Sequence, residues 1–354
     1  MLDNYSSKAI VTKVRAMYGK RLLSHDYEEL LRKKTVSDAA LYLKNHTDYT
    51  DVLMKLNDED IHRGQVEQLI REDLFNKYTR LCRYSFSGKQ DGIYRCYVFR
   101  AEINEILRCV MMLNAGTAEE FIIALPDFLA EQASFNLYGL ARVRSFDDLL
   151  HVLHGTGYDK ILQACRPDFG LQQEESTIDY LRCEYSLYAY YYETLFKVIK
   201  RDFKGKSRKE LNDLFHLEAE IINLRTATRL KKYFNKSPSF IKQYLFPYFY
   251  RLTPKKWDQL LEQGGLSGGE KRSLEILTED SDRQIVAQYG YIEHYTQTLR
   301  YQLSRKIIRA STHAAVSLYA FLVLCEIELE NIINIIEGIR YGVMPEEIKK
   351  LLIF

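Results

Sequence analysis

The chain has 354 residues, too many for one small core and suited to two or three domains, and 46% of them are hydrophobic. Basic and acidic residues nearly balance, 50 against 48, so the bulk cationic excess with which nucleic-acid binders neutralise phosphates is missing. Six prolines and 17 glycines are few for a turn-rich β protein and fit long helices.

The first twenty residues lack a sustained apolar core, so no secretory leader is expected. A helix is predicted over Lys8 to Leu23, with Ser24 placed to cap the next one ahead of the acidic Asp26, Glu28 and Glu29. Residues 61–81 carry Val66, Leu69, Ile70, Leu74 and Tyr78 at steps of three and four, one face of a helix. Breaks are expected at Ser85–Gly92, Leu113–Thr117, Arg166–Gly170, Phe203–Ser207, Lys236–Pro238 and Gln263–Gly269. Tyr185, Tyr188 and Tyr192, with Tyr190 and Tyr191 between them, fall at helical spacing and read first as core packing, with a protein-facing surface as the alternative. The longest apolar run, Ala314 to Cys325, is far shorter than the roughly 30 Å of a bilayer core at about 1.5 Å per residue, and reads as a buried helix. No run alternates like a strand. The six cysteines (Cys82, Cys96, Cys109, Cys165, Cys183, Cys325) form no CxxC pair and fit buried thiols in a reducing compartment.

A repeat organises the chain. The segments opening at Glu102 (EINEILR), Glu220 (EIINLR) and Glu328 (ELENIIN) share a Glu, an apolar residue and a polar group three positions on, so Glu105, Asn223 and Asn331 fall in register. Apolar positions then follow one face: Ile103, Ile106, Leu107 and Val110; Ile221, Leu224 and Thr228; Ile332, Ile335, Ile336 and Ile339. A second motif agrees in order. Leu43 to Leu53 (LKNHTDYTDVL) matches Leu153 to Leu162 (LHGTGYDKIL), and an eroded third copy at Trp257 (WDQLL) lacks the Thr and Tyr. Three helical repeat domains are therefore expected, over 1–115, 116–235 and 236–354. The six repeat-defining residues are read as structural, the glutamates as buried-edge groups holding neighbouring helices.

Motifs that tempt a catalytic reading fail on context. Leu266–Glu270 (LSGGE) reproduces the signature loop of ABC-type ATPases, but that loop works only opposite a GxxxxGK[ST] phosphate loop. The only GK[ST], Gly205–Lys206–Ser207, has Lys200 where the first Gly belongs, and Val198–Phe203 before it reads as a helix end. His151 and His154 share a helix face but lack further zinc ligands nearby. Glu279, Asp280 and Asp282 form an acidic cluster without the second acidic helix that a magnesium site of prenyl-transferring type requires. No nucleophile–base pair or acid–base carboxylate pair stands out. No catalytic, cofactor-binding or metal site is expected, and no cofactor.

These features resemble the C subunit of the V-type ATP synthases/ATPases of bacteria and archaea, related to the d subunit of the eukaryotic vacuolar enzyme. The resemblance runs through Val14–Met17, Leu22, Leu23 and Tyr27, then Leu43, Thr47 and Tyr49, then the Glu-x-x-Asn helices. It is clearest at Glu328–Gly342 (ELENIINIIEGIRYG) and Pro345–Leu352 (PEEIKKLL). Glu105 departs from the Asn of the pattern. The family implies an all-α funnel of three similar domains about a pseudo-threefold axis. It implies a non-catalytic rotor subunit, one copy per hetero-oligomeric complex, peripheral on the cytoplasmic side of the membrane. Its partners would be the central shaft and the membrane rotor ring, coupling ATP chemistry to H⁺ or Na⁺ transport, with no nucleic acid and no transmembrane segment. Two other readings of the residues are a helical scaffold for an unrelated protein and a helical enzyme using the acidic cluster or the His pair; a solenoid's shorter repeats would distinguish the former.

Overall fold

The computed structural model describes residues 2–56, 61–84, 92–117, 126–166, 178–262 and 292–354. The Leu266–Glu270 loop and the Glu279–Asp282 cluster lie outside them. Among the described residues the chain is helical and has no strand.

The helices, in order, are α1 Leu2–Tyr18, α2 Ser24–Leu31, α3 Val36–His46, α4 Thr50–Leu53, α5 Arg63–Cys82, α6 Cys96–Ala115, α7 Asp127–Ala130, α8 Phe146–Val152, α9 Tyr158–Gln163, α10 Tyr180–Asp202, α11 Gly205–Lys232, α12 Pro238–Lys242, α13 Pro254–Glu262, α14 Ile292–Ala310, α15 Ala314–Arg340 and α16 Pro345–Lys349. Short 3₁₀ turns occupy Ile93–Arg95 and Leu137–Arg142.

Several of the small helices start alike. Thr35 accepts the Asp38 N–H at 3.0 Å ahead of α3, Ser145 accepts that of Asp148 at 3.1 Å ahead of α8, and Thr253 accepts that of Lys256 at 3.3 Å ahead of α13. Each hydroxyl satisfies a helix N–H that has no partner in the first turn. Ser24 does not serve as the cap expected of it: Leu23 takes that position, and the Asp26 carboxylate reaches back to its N–H at 2.8 Å. A carboxylate, longer than a serine hydroxyl, can close this turn from inside the helix.

The chain divides into two compact units. The larger comprises residues 1–88, 205–241 and 247–354; the smaller comprises 89–204 and 242–246. The repeat boundaries expected at 115/116 and 235/236 fall inside the smaller and the larger unit respectively.

In the larger unit α15 is the central helix, packed on by α1, α2, α3, α5, α11, α14 and α16. Its first turns, Ala314 to Leu324, are buried all round, as the longest apolar run predicts. Its second half turns Leu329, Ile332, Ile335 and Ile336 into a core with Tyr27, Leu30, Leu43, Leu53, Val66 and Ile70. Polar ties cross this unit: Arg300 of α14 bonds Glu218 of α11 at 3.2 Å and Glu326 of α15 at 2.5 Å. Arg15 of α1 covers the carbonyl end of α14, donating to Ile308 at 3.0 Å and Ser311 at 3.0 Å.

In the smaller unit α6 packs along α10, and α9 lies against α10. The tyrosine stripe is core, the first of its two readings. Tyr191 and Tyr192 are buried, Tyr188 donates to Asn104 at 2.8 Å, and Tyr185 stacks on Phe246 at 5.3 Å between ring centres.

Candidate functional site

The three repeated glutamates mark three copies of one device, in which a carboxylate on a long helix gathers donors from a distant loop. On α15, Glu328 accepts the Leu22 N–H at 2.8 Å and the Tyr49 O–H at 2.7 Å. On α6, Glu102 accepts the Ser134 N–H at 2.5 Å and the Tyr158 O–H at 2.5 Å, with Arg95 at 3.0 Å. On α11, Glu220 accepts the N–H groups of Tyr250 at 2.8 Å, Arg251 at 3.0 Å and Leu252 at 2.9 Å. In each case the donors precede or follow a short hydroxyl-capped helix. We call these arrangements clasps.

The tyrosine donors are aimed identically. Thr47 donates to the Leu43 carbonyl at 2.6 Å and accepts the Tyr49 N–H at 3.3 Å; Thr156 donates to the Leu153 carbonyl at 2.6 Å and accepts the Tyr158 N–H at 3.3 Å. The Thr-x-Tyr motif is thus a turn that directs a phenol at the glutamate. In the third clasp three backbone amides take the place of a phenol.

Burial sets the electrostatics. It pushes the carboxyls of Glu328 and Glu220 above the usual range, against the lowering effect of their hydrogen bonds. Burial and the neighbouring carboxylate together raise the Tyr49 phenol, through Glu328, and the Tyr158 phenol, through Glu102, well above 10. Such phenols stay protonated and donate at any physiological pH.

The partner positions diverge. Asn331 is buried and holds the C-terminal segment, its amide donating to the Ile353 carbonyl at 2.7 Å and its oxygen accepting the Ile353 N–H at 3.0 Å; it also donates to Tyr27 at 3.2 Å. Asn223 is fully buried on α11. Glu105 is half-buried and pairs with Arg108 one turn on. The clasp partners themselves escape a sequence reading, since nothing local links Glu328 to Leu22 across 306 residues. The shared Thr-x-Tyr is the signal that could find two of them.

A small cavity of about 30 Å³ opens beside the Glu328 clasp, lined also by Lys20, Arg21, Asp48, Lys77 and Cys325, and every carboxylate oxygen of the three clasps faces a donor. Among the described residues no three His, Cys, Asp or Glu side chains converge as a metal site requires. His154 instead faces Asp159 at 3.4 Å. Gly205–Ser207 opens α11 directly after α10 ends at Asp202, with no strand before it, so the phosphate-loop reading fails in the structure as well. No described helix is long and apolar enough to cross a membrane.

The clasp chemistry holds helices together, which accords with what the chain is similar to. The model of the ATP synthase (C/AC39) subunit family matches residues 10–351. The C subunit of the A-type ATP synthase of Methanosphaera stadtmanae is 24% identical, with 96% of this chain and 86% of that protein covered. Its counterpart in Methanocaldococcus jannaschii is likewise 24% identical over 96% and 84%, and that of Archaeoglobus fulgidus 22% over 97% and 95%. With the match running from the first helix to the last, the chain belongs to the ATP synthase (C/AC39) subunit family, whose members are non-catalytic subunits and not enzymes in their own right.

Proposed function

We propose that this subunit is the mechanical coupler of a V/A-type rotary ATP synthase, joining the central shaft to the membrane rotor ring so that torque passes between ATP chemistry and H⁺ or Na⁺ transport. It would sit peripherally on the cytoplasmic side, one copy per complex. The observation that carries the reading is the set of clasps: a transmitter of torque needs long helices fixed against their neighbours by ties that do not slide, and each clasp is such a tie. Family membership supports the assignment to the complex, and the nearly balanced charge suits a part that works through protein contacts.

We further propose that the chain is a triplication whose unit begins with its carboxylate helix. The three clasps support this, because each glutamate engages a segment that flanks a hydroxyl-capped small helix, the ones at Ser145 and Thr253 following their glutamates and the one at Thr35 preceding Glu328. Detergent extraction of membranes followed by affinity isolation of the tagged subunit tests the coupling role. Shaft and ring proteins should co-purify with it in fixed ratio, and a strain without it should hydrolyse ATP without pumping ions. Normal coupled pumping in that strain would refute the proposal.

A further inference from the structure

Of the six cysteines, two meet. Cys165 closes the turn after α9, and Cys183 lies near the start of α10, against which α9 packs; both belong to the smaller unit. The Cys165 sulfur lies 3.5 Å from the Ser186 hydroxyl oxygen. Ser186 follows Cys183 by three residues, so the two share one face of α10, with about 5–6 Å between neighbouring Cβ atoms at that spacing. The Cys183 thiol on that face hydrogen-bonds the Cys165 sulfur.

The other four thiols are placed differently. Cys96 donates to the Gly92 carbonyl at 3.6 Å. Burial pushes the thiols of Cys82 and Cys109 up to about 12 and raises that of Cys325 as well. Cys165 moves the other way. The hydrogen bond from Cys183, helped by Ser186 and the nearby Arg182 cation, holds its thiol below the ordinary range, against burial and the Asp179 carboxylate. The same bond, with burial, pushes the Cys183 thiol up. One sulfur favoured as a thiolate beside one kept protonated is the chemistry of an attacking and a resolving thiol. Both sulfurs are buried, 2% and 0% exposed, while the adjoining Ala164, Arg166 and Arg182 are exposed. The pair therefore lies one side chain beneath the surface, within reach of an oxidant little larger than water.

We propose that Cys165 and Cys183 are an oxidisable pair, which a hydroperoxide converts to a disulfide that staples the end of α9 to α10. With hydrogen peroxide, the Cys165 thiolate attacks one oxygen and the O–O bond breaks. Sulfur becomes a sulfenic acid, and the other oxygen takes a proton from solvent and leaves as water. The Cys183 thiol then attacks the Cys165 sulfur, the S–S bond forms as the S–O bond breaks, and the hydroxyl leaves with the Cys183 proton as a second water. The sulfurs are oxidised and the peroxide oxygens reduced, and excess dithiol reverses the bridge. The staple bears on the Glu102 clasp, because α9 begins with the Tyr158 whose phenol that carboxylate accepts.

The test treats the purified, reduced full chain with hydrogen peroxide under native conditions, then unfolds and alkylates it and maps its peptides by mass. Four of the six cysteines should alkylate, the Cys165 and Cys183 peptides should appear joined and lighter by two hydrogens, and dithiothreitol should restore all six. Cys183→Ser should leave Cys165 as a sulfenic acid that dimedone captures, and Cys109→Ser, outside the pair, should leave the bridge unchanged. In the bridged protein, amide exchange over Ile161–Cys165 should slow by about tenfold or more, because the closed loop removes open states of that segment. The unsubstituted chain decides the outcome whether or not a variant folds. Six alkylated thiols after peroxide, a sulfinic acid at Cys165 without a bridge, a bridge between any other two cysteines, or unchanged exchange over Ile161–Cys165 overturns the proposal.

Discussion

Removal of the Glu220 side chain tests whether the clasps hold the fold. Glu220→Ala deletes the acceptor for three amides and leaves the chain no other group at that place. The Leu252 N–H is buried, and orphaning it should cost about 1–3 kcal/mol. The Tyr250 and Arg251 amides are half-buried, so water can take over part of their bonding, and about 0.5–1 kcal/mol each is expected. The total is about 2–5 kcal/mol, a large part of the roughly 5–15 kcal/mol that separates folded from unfolded domains. Glu220→Gln keeps one oxygen but turns an amide donor toward other donors, and should cost about half as much. With a urea dependence of about 2–3 kcal/mol per molar, the Ala variant should unfold at a midpoint lower by about 1–2 M. Circular dichroism follows the midpoint, and amide hydrogen exchange at Tyr250, Arg251 and Leu252 should accelerate selectively. A midpoint unchanged within error, or undiminished protection at Leu252, would refute the reasoning.

Other consequences can be checked in the same way. Tyr49→Phe and Tyr158→Phe each remove a phenol donor from a carboxylate and should cost about 1.5–3 kcal/mol. Because the two phenols serve separate clasps, the pair should be additive, while Tyr49→Phe with Glu328→Gln should cost less than the sum in a double-mutant cycle. Glu328 has its folded value raised above the ordinary 4.5, so it binds its proton more tightly folded than unfolded, and its stabilising contribution is full below about pH 4.5 and lost as pH rises through the folded value. The cost of Glu328→Gln should therefore be greatest in acid and shrink toward neutrality in a thermal-melt series; growth with pH would contradict the assignment. Gly338 on α15 has the Ile348 side chain of α16 where a Cβ would stand, so Gly338→Ala should cost about 1–3 kcal/mol, and Ile348→Val in the same chain should recover part of it by melting temperature.

Much of the helical plan is legible in local pattern. The stripe of Val66, Ile70, Leu74 and Tyr78 needs only the 3.6 period, and the burial of Ala314–Leu324 follows from length and apolarity. The recurrent glutamates are legible as repeats because a helix fixes their spacing to the apolar face. Their meaning is not, because a hydrogen bond across 30 to 306 residues leaves no trace in a window of sequence. Leu23 as a cap is hidden for a related reason: the group that completes it is the carboxylate of Asp26, one turn inside the helix. Asn223 and Asn331 share a register position with Glu105, yet Asn331 is committed to the chain terminus and Glu105 to Arg108. Positions in register along three helices thus hold quite different partners.

The clasp of Glu328 on Leu22 and Tyr49 also bears on how the protein is made. The segment from α2 to α4 leaves the ribosome well before the helix against which it buries Tyr27, Leu43 and Leu53, with Leu22 lying 306 residues ahead of Glu328. At about 5–20 residues per second the 306 residues between Leu22 and Glu328 take roughly 15–60 s, during which the core that this segment shares with Val66 and Ile70 lacks the apolar face of α15. A nascent chain stalled or truncated before residue 314 would keep that core open indefinitely. The newborn protein should therefore be a strong client of chaperones that shield the N-terminal region, and release from them should wait on the arrival of its own C-terminal helix.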